Sequence, residues 1–152
     1  MAGRYATRTD REVEDSLADI ATLLRRYGAG ELITGYTAEQ ACVAFSLAGR
    51  TIRMVAPMPR PDEHAWTPTG KRRSPEQTER RVQQARRQRW RALALVIQAK
   101  LEACEVGIST IDREFLADLA LPNGQTLGTQ LMPALDRALS TGALPPLLPE
   151  AS

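Results

Sequence analysis

The chain has 152 residues and a formal net charge of +2, with 43% apolar and 25% charged residues. That balance supports one domain with a real core and excludes a disordered chain. No apolar run approaches the roughly 20 residues of a membrane helix, and Met1 to Arg11 lacks the apolar stretch of a secretory leader, so the cytoplasm is the expected compartment.

Asp10 to Gly28 reads as the first helix, because Val13, Leu17, Ile20, Leu23, Leu24 and Tyr27 recur at three- and four-residue spacing. Thr9 or Asp10 is the expected cap and Gly28-Ala29-Gly30 the stop. Three strands follow, Leu32 to Tyr36, Gln40 to Leu47 and Thr51 to Pro57. In the second, Ala41, Val43, Phe45 and Leu47 alternate with Gln40, Cys42, Ala44 and Ser46, the period of a half-buried strand. Ala48-Gly49 is short enough to join the second and third strands as a hairpin.

Pro57-Met58-Pro59-Arg60-Pro61 ends the sheet, since proline cannot donate to a ladder. Residues 58–74 then read as a long exposed loop with Trp66 among polar neighbours. Ser74-Pro75-Glu76-Gln77 is a helix start, and the helix should run to about Val106. Trp90, Leu93, Ala94, Ile97, Leu101 and Cys104 fall on one face of its second half, while the first half is basic and reads as projecting into solvent. A shorter helix from Ser109 should turn Ile111, Phe115, Leu116 and Leu119 inward, and a last one, Thr126 to Ser140, aligns Leu127, Leu131, Leu135 and Leu139. The expected fold is α+β: an N-terminal helix, a three-stranded antiparallel sheet, then a long basic helix and two shorter helices. It fills one domain, 1–152, with an extended tail at 141–152.

Charge is distributed unevenly. Between Lys71 and Arg91 lie nine basic residues and two acidic ones. Eight of the nine are Arg, whose planar fork suits bidentate phosphate contacts. Acidic partners at i,i+4 are almost missing after Glu79, so this face repels itself unless a polyanion intervenes. Lys71, Arg72, Arg73, Arg80, Arg81, Arg87 and Arg91 are therefore the candidate nucleic-acid contacts, with Trp66 as a platform for an unpaired base. Two other readings compete. The arginines could be an inert solvated face, or they could dock on acidic protein surface, for which the C-terminal third from Glu102, net −5, is available. Trp66 could equally pin the loop to the sheet.

No catalytic constellation stands out, and neither a cofactor nor a metal is expected. His64 is the single histidine and stands in the polar loop. Gly70-Lys71 lacks the upstream glycine and strand of a phosphate-binding loop. Asp112, Glu114 and Asp118 could hold Mg²⁺ but read more simply as a solvated helix face. Cys42 and Cys104 fall in apolar patterns and read as buried free thiols.

The stretch Arg87-Gln88-Arg89-Trp90-Arg91-Ala92-Leu93-Ala94-Leu95-Val96-Ile97-Gln98-Ala99-Lys100-Leu101-Glu102-Ala103, followed by Gly107-Ile108, resembles a family of small uncharacterised proteins carried by bacteriophages and prophages. The resemblance extends through Leu24-Arg25-Arg26-Tyr27-Gly28-Ala29, Thr67-Pro68-Thr69-Gly70, Phe115-Leu116, Leu121-Pro122-Asn123-Gly124 and Pro145-Pro146-Leu147-Leu148-Pro149, nearly the whole chain. It implies a phage origin and a cytoplasmic role during infection, and it carries no catalytic residues. The expected function is nucleic-acid binding, single-stranded DNA ahead of duplex, as a recombination or replication accessory. The alternative is an adaptor or inhibitor that binds a replication protein, or a homo-oligomer held through the same charges.

Overall fold

The computed structural model describes residues 2–143, with side chains from Asp10 onward. Its elements are α1 (Ala2–Arg26), β1 (Gly30–Tyr36), β2 (Gln40–Leu47), β3 (Arg50–Pro57), a 3₁₀ turn (Pro61–His64), α2 (Pro75–Glu105), α3 (Ile111–Glu114), a second 3₁₀ turn (Leu116–Asp118) and α4 (Leu127–Thr141). This is the α+β architecture that the sequence predicts. Among the described residues no helix is long and apolar enough to cross a membrane.

α1 starts at Ala2, well before the expected caps Thr9 and Asp10. Nothing in Ala2–Thr9 breaks a helix, since the segment has no proline, and each added residue continues the hydrogen-bond ladder. The stop falls where expected: the Ala29 N–H reaches back to the Leu24 carbonyl at 2.9 Å, which closes the last turn. β1, β2 and β3 form an antiparallel sheet in that order. Ala48 (φ 51°) and Gly49 (φ 72°) make the tight β2–β3 turn, both with the positive φ that the twist of such a turn demands.

One core lies between the sheet and the two long helices. Ala41, Val43 and Phe45 of β2 and Ile52 and Met54 of β3 face Val13, Ile20 and Leu24 of α1 and Trp90, Leu93, Ile97 and Leu101 of α2. The rings of Phe45 and Phe115 meet edge to face at 5.8 Å, and those of Tyr36 and Trp90 at 6.0 Å. Tyr27 Oη donates to Glu105 at 2.8 Å and ties the C-terminal ends of α1 and α2 together.

Four local expectations need correction. The basic half of α2 is not a free projection, because Val82 and Gln83 are buried there. Leu116 is exposed rather than inward, since the α-helix stops at Glu114 and a 3₁₀ turn follows, which resets the phase of the apolar residues. Of the four aligned leucines of α4 only Leu127 and Leu131 are half-buried, Leu139 is 76% exposed, and the buried residue of the helix is Ala134. A strict four-residue spacing winds off the contact by about 40° per step. Gly128, in the first turn of α4, permits the contact that does form: a Cβ there would lie 2.9 Å from the Ala117 carbonyl oxygen. Thr141 ends α4 and Gly142 caps it, so an extended tail starts no earlier than Ala143. Residues 144–152 lie outside the described residues.

Candidate nucleic-acid interface

The segment between β3 and α2 folds back on itself. Met58 and Pro59 are buried at its root, and Pro61–His64 makes a 3₁₀ turn. Trp66 and Arg72 then pair across an antiparallel bridge, with Thr67 N–H donating to the Lys71 carbonyl at 2.8 Å and Arg73 N–H to the Ala65 carbonyl at 2.8 Å. Thr67-Pro68-Thr69-Gly70 forms the tip, held by Gly70 N–H on the Thr67 carbonyl at 2.9 Å. The result is a small ordered hairpin, exposed for most of its length.

Arg73 organises its base. Its guanidinium donates to the His64 carbonyl at 2.9 Å and to the Trp66 carbonyl. The Trp66 backbone therefore anchors the hairpin, while its ring stays 57% exposed with the Arg72 guanidinium 5.9 Å from its centroid.

Ser74 starts α2 directly after Arg73. Its Oγ accepts from Gln77 N–H at 3.2 Å, and the Gln77 side chain accepts from Ser74 N–H at 3.1 Å. This reciprocal cap sets the direction of the helix beside the hairpin. Gln77, Arg80, Arg81 and Gln84 follow at i, i+3, i+4 and i+7, so they share one face. That face and the hairpin enclose a groove of about 390 Å³, lined by Thr67, Pro68, Arg73, Gln77, Arg80, Arg81 and Gln84. No carboxylate lines it. Lys71 and Arg72, both exposed, belong to the same hairpin.

The two acids of the 3₁₀ turn are paired elsewhere. Asp62 accepts from Arg60 at 2.7 Å, a contact that holds its carboxyl below the ordinary range. Glu63 accepts from Arg89 at 3.2 Å, and Arg89 also donates to the Pro57 carbonyl at 2.7 Å. Of the predicted contacts, Arg73, Arg80 and Arg81 line this groove, while Trp66, Lys71 and Arg72 lie on the same hairpin outside its lining.

The other two lie apart from it. Arg87 binds Glu12 of α1 at 2.8 Å. Arg91 lines a second groove of about 490 Å³ between α1 and α2, where Glu12, Asp15 and Asp19 form one wall. A polyanion entering there would meet three carboxylates. Among the described residues, the carboxylates seen paired with arginines of α2 are Glu12 of α1 and Glu63 of the 3₁₀ turn. In the C-terminal third, Asp112 pairs instead with Arg50 of the hairpin turn at 2.9 Å, which lowers the Asp112 pKa.

Sequence reasoning missed Gln77 and Gln84, whose amides can donate and accept inside the groove. Their i, i+7 spacing around Arg80 and Arg81 was the available signal. It also missed the acidic row Glu12, Asp15 and Asp19 on α1, whose i, i+3, i+7 spacing marks one face.

Neither cysteine is fully buried; Cys42 and Cys104 are half-buried free thiols, and burial pushes the Cys104 thiol up. Burial likewise raises the carboxyl of Asp118, with Lys100 opposing the shift. Among the described residues no group of three or more His, Cys, Asp or Glu could hold a metal ion. No protein-family model, curated protein or solved structure matches the chain.

Proposed function

We propose that the chain binds nucleic acid, single-stranded DNA ahead of duplex, in the groove between the 58–74 hairpin and the first turns of α2. The observation that carries this reading is a concave surface with three arginines, two glutamines and no carboxylate, one wall of which is the hairpin that carries the exposed Trp66 ring. Arg80 and Arg81 would take backbone phosphates by bidentate hydrogen bonds. Trp66, with Arg72 over its ring, would offer a stacking surface to an unpaired base, which a duplex has already stacked internally. Gln77 and Gln84 would reach base or sugar edges with amides. Such a protein would serve as a recombination or replication accessory of a phage, without a catalytic step of its own.

Trp66 provides the test. Its fluorescence should be quenched on titration with a single-stranded oligonucleotide, and less by duplex of the same length. Trp66→Ala should cost about 1–3 kcal/mol of binding, with the circular dichroism spectrum retained because Arg73 holds the backbone and not the ring. No quenching and no oligonucleotide binding, with a protein co-purifying, would favour the adaptor reading instead.

A further inference from the structure

The two edges of the sheet are treated differently. Beside β3, Met58 N–H donates to the Glu39 carbonyl at 2.7 Å. The alternation of an antiparallel ladder then makes Ala41–Ala56, Val43–Met54 and Phe45–Ile52 the bonded pairs. Thr51, Arg53, Val55 and Pro57 accordingly turn their backbone groups to the outer edge. That edge is closed at both ends: Ala120 N–H donates to the Thr51 carbonyl at 2.9 Å, Arg89 donates to the Pro57 carbonyl at 2.7 Å, and Pro57 has no N–H.

Among the described residues, the β1 edge has no such cover. Thr37 N–H donates to the Gln40 carbonyl at 2.8 Å, so Gly35–Cys42 and Ile33–Ala44 are the bonded pairs that follow. Thr34 and Tyr36 thus point both backbone groups away from the sheet. All seven residues of β1 are exposed, Ile33 by 68% and Tyr36 by 52%. The strand holds no Lys, Arg or Pro, the residues that usually blunt an open edge. Its bulge lies between Gly30 and Ile33 and leaves Ile33 to Tyr36 in regular register.

We propose that this edge docks β1 of a second copy of the chain, antiparallel, about a two-fold axis at Thr34. The strand is self-complementary in that register. Thr34 faces its own copy, and its outward N–H and C=O bond reciprocally across the axis. Leu32 falls opposite Tyr36, an aliphatic–aromatic pair of the kind that stabilises antiparallel strands. Ile33 falls opposite Gly35, which has no side chain, and nothing lies within 4 Å of where a Cβ would stand. Glu31, the only charged residue of β1, falls opposite Thr37 and meets no like charge. A register centred on Ile33 instead would leave the Tyr36 ring opposite Gly30.

One strand pair makes a small interface, so the dimer should be weak and concentration-dependent. None of the groove residues lies on β1, so strand pairing and nucleic-acid binding stand or fall separately.

Sedimentation velocity of the full chain from about 1 µM to several hundred µM tests the pairing. The sedimentation coefficient should rise from the monomer value towards the dimer value. Thr34→Pro should abolish the rise, because it removes the outward N–H while taking no bond from β2. Thr34→Lys, which sets like charges face to face on the axis, should also hold the chain monomeric at low salt and release the dimer at high salt. Circular dichroism establishes that both variants fold. A wild-type chain that stays monomeric throughout, or a dimer that both folded variants keep, overturns the proposal.

Discussion

Arg81 and Arg87 stand less than two turns apart on α2 and have different neighbours. Arg87 is half-buried and binds Glu12 at 2.8 Å, whereas Arg81 is exposed on the wall of a groove that has no carboxylate. Partly buried ion pairs are worth little more than surface pairs, so Arg87→Gln should lower stability by about 1 kcal/mol. It should leave oligonucleotide affinity within about twofold, because the lost contact is internal. Arg81→Gln should do the reverse, weakening binding at unchanged stability. Thermal melts and a binding titration of the two variants check this, and a loss of affinity at Arg87 equal to that at Arg81 would extend the interface along α2. The density of arginine was legible in the sequence, where Arg80, Arg87 and Arg91, at i, i+7 and i+11, fall on one stripe of α2. A helical wheel cannot say which neighbour lies alongside each turn, and that neighbour divides the stripe between the hairpin groove and α1.

α2 as an element changes character along its length. From Trp90 onward its apolar face closes the core, with Ile97 and Leu101 almost wholly buried against the sheet and α1. Truncating Ile97 to Ala should cost about 2–5 kcal/mol, since a rigid core does not collapse around the missing atoms. Gln84→Ala, on the exposed groove face, should change stability by less than about 0.5 kcal/mol. Chemical denaturation of both variants measures the difference, and equal effects would contradict the division. Gln83 does not belong with Gln84: it is buried and donates to Glu79 at 2.6 Å. Elements were legible where local signals agree. The cap at Ser74, the alternation in β2 and the prolines after β3 each act within a few residues, and these boundaries fall close to where they were expected. Signals that depend on helix phase over a break, as at Leu116, or on drift along a helix, as at Leu139, were not legible, because only packing decides them.

For the molecule as a whole, the order of layers follows from the order of elements. Sequential strands pair as hairpins, and each long helix has one apolar face to cover the same side of the sheet. What the sequence did not disclose is the partition of charge in space. α1 contributes the acidic wall of one groove and the 3₁₀ turn contributes Glu63, whereas arginine is concentrated, with no carboxylate in the lining, in the groove at the hairpin end of α2. That concentration is the central claim, and a salt titration of binding tests it most directly. Affinity for a labelled single-stranded oligonucleotide should fall steeply as salt rises. In a folded chain carrying Arg80→Gln and Arg81→Gln, the slope of log affinity against log salt should flatten by about 1.4 units, as expected for two lost phosphate contacts on a single strand. A folded double variant that keeps the wild-type affinity and slope, or a wild-type chain whose affinity ignores salt, would contradict the account.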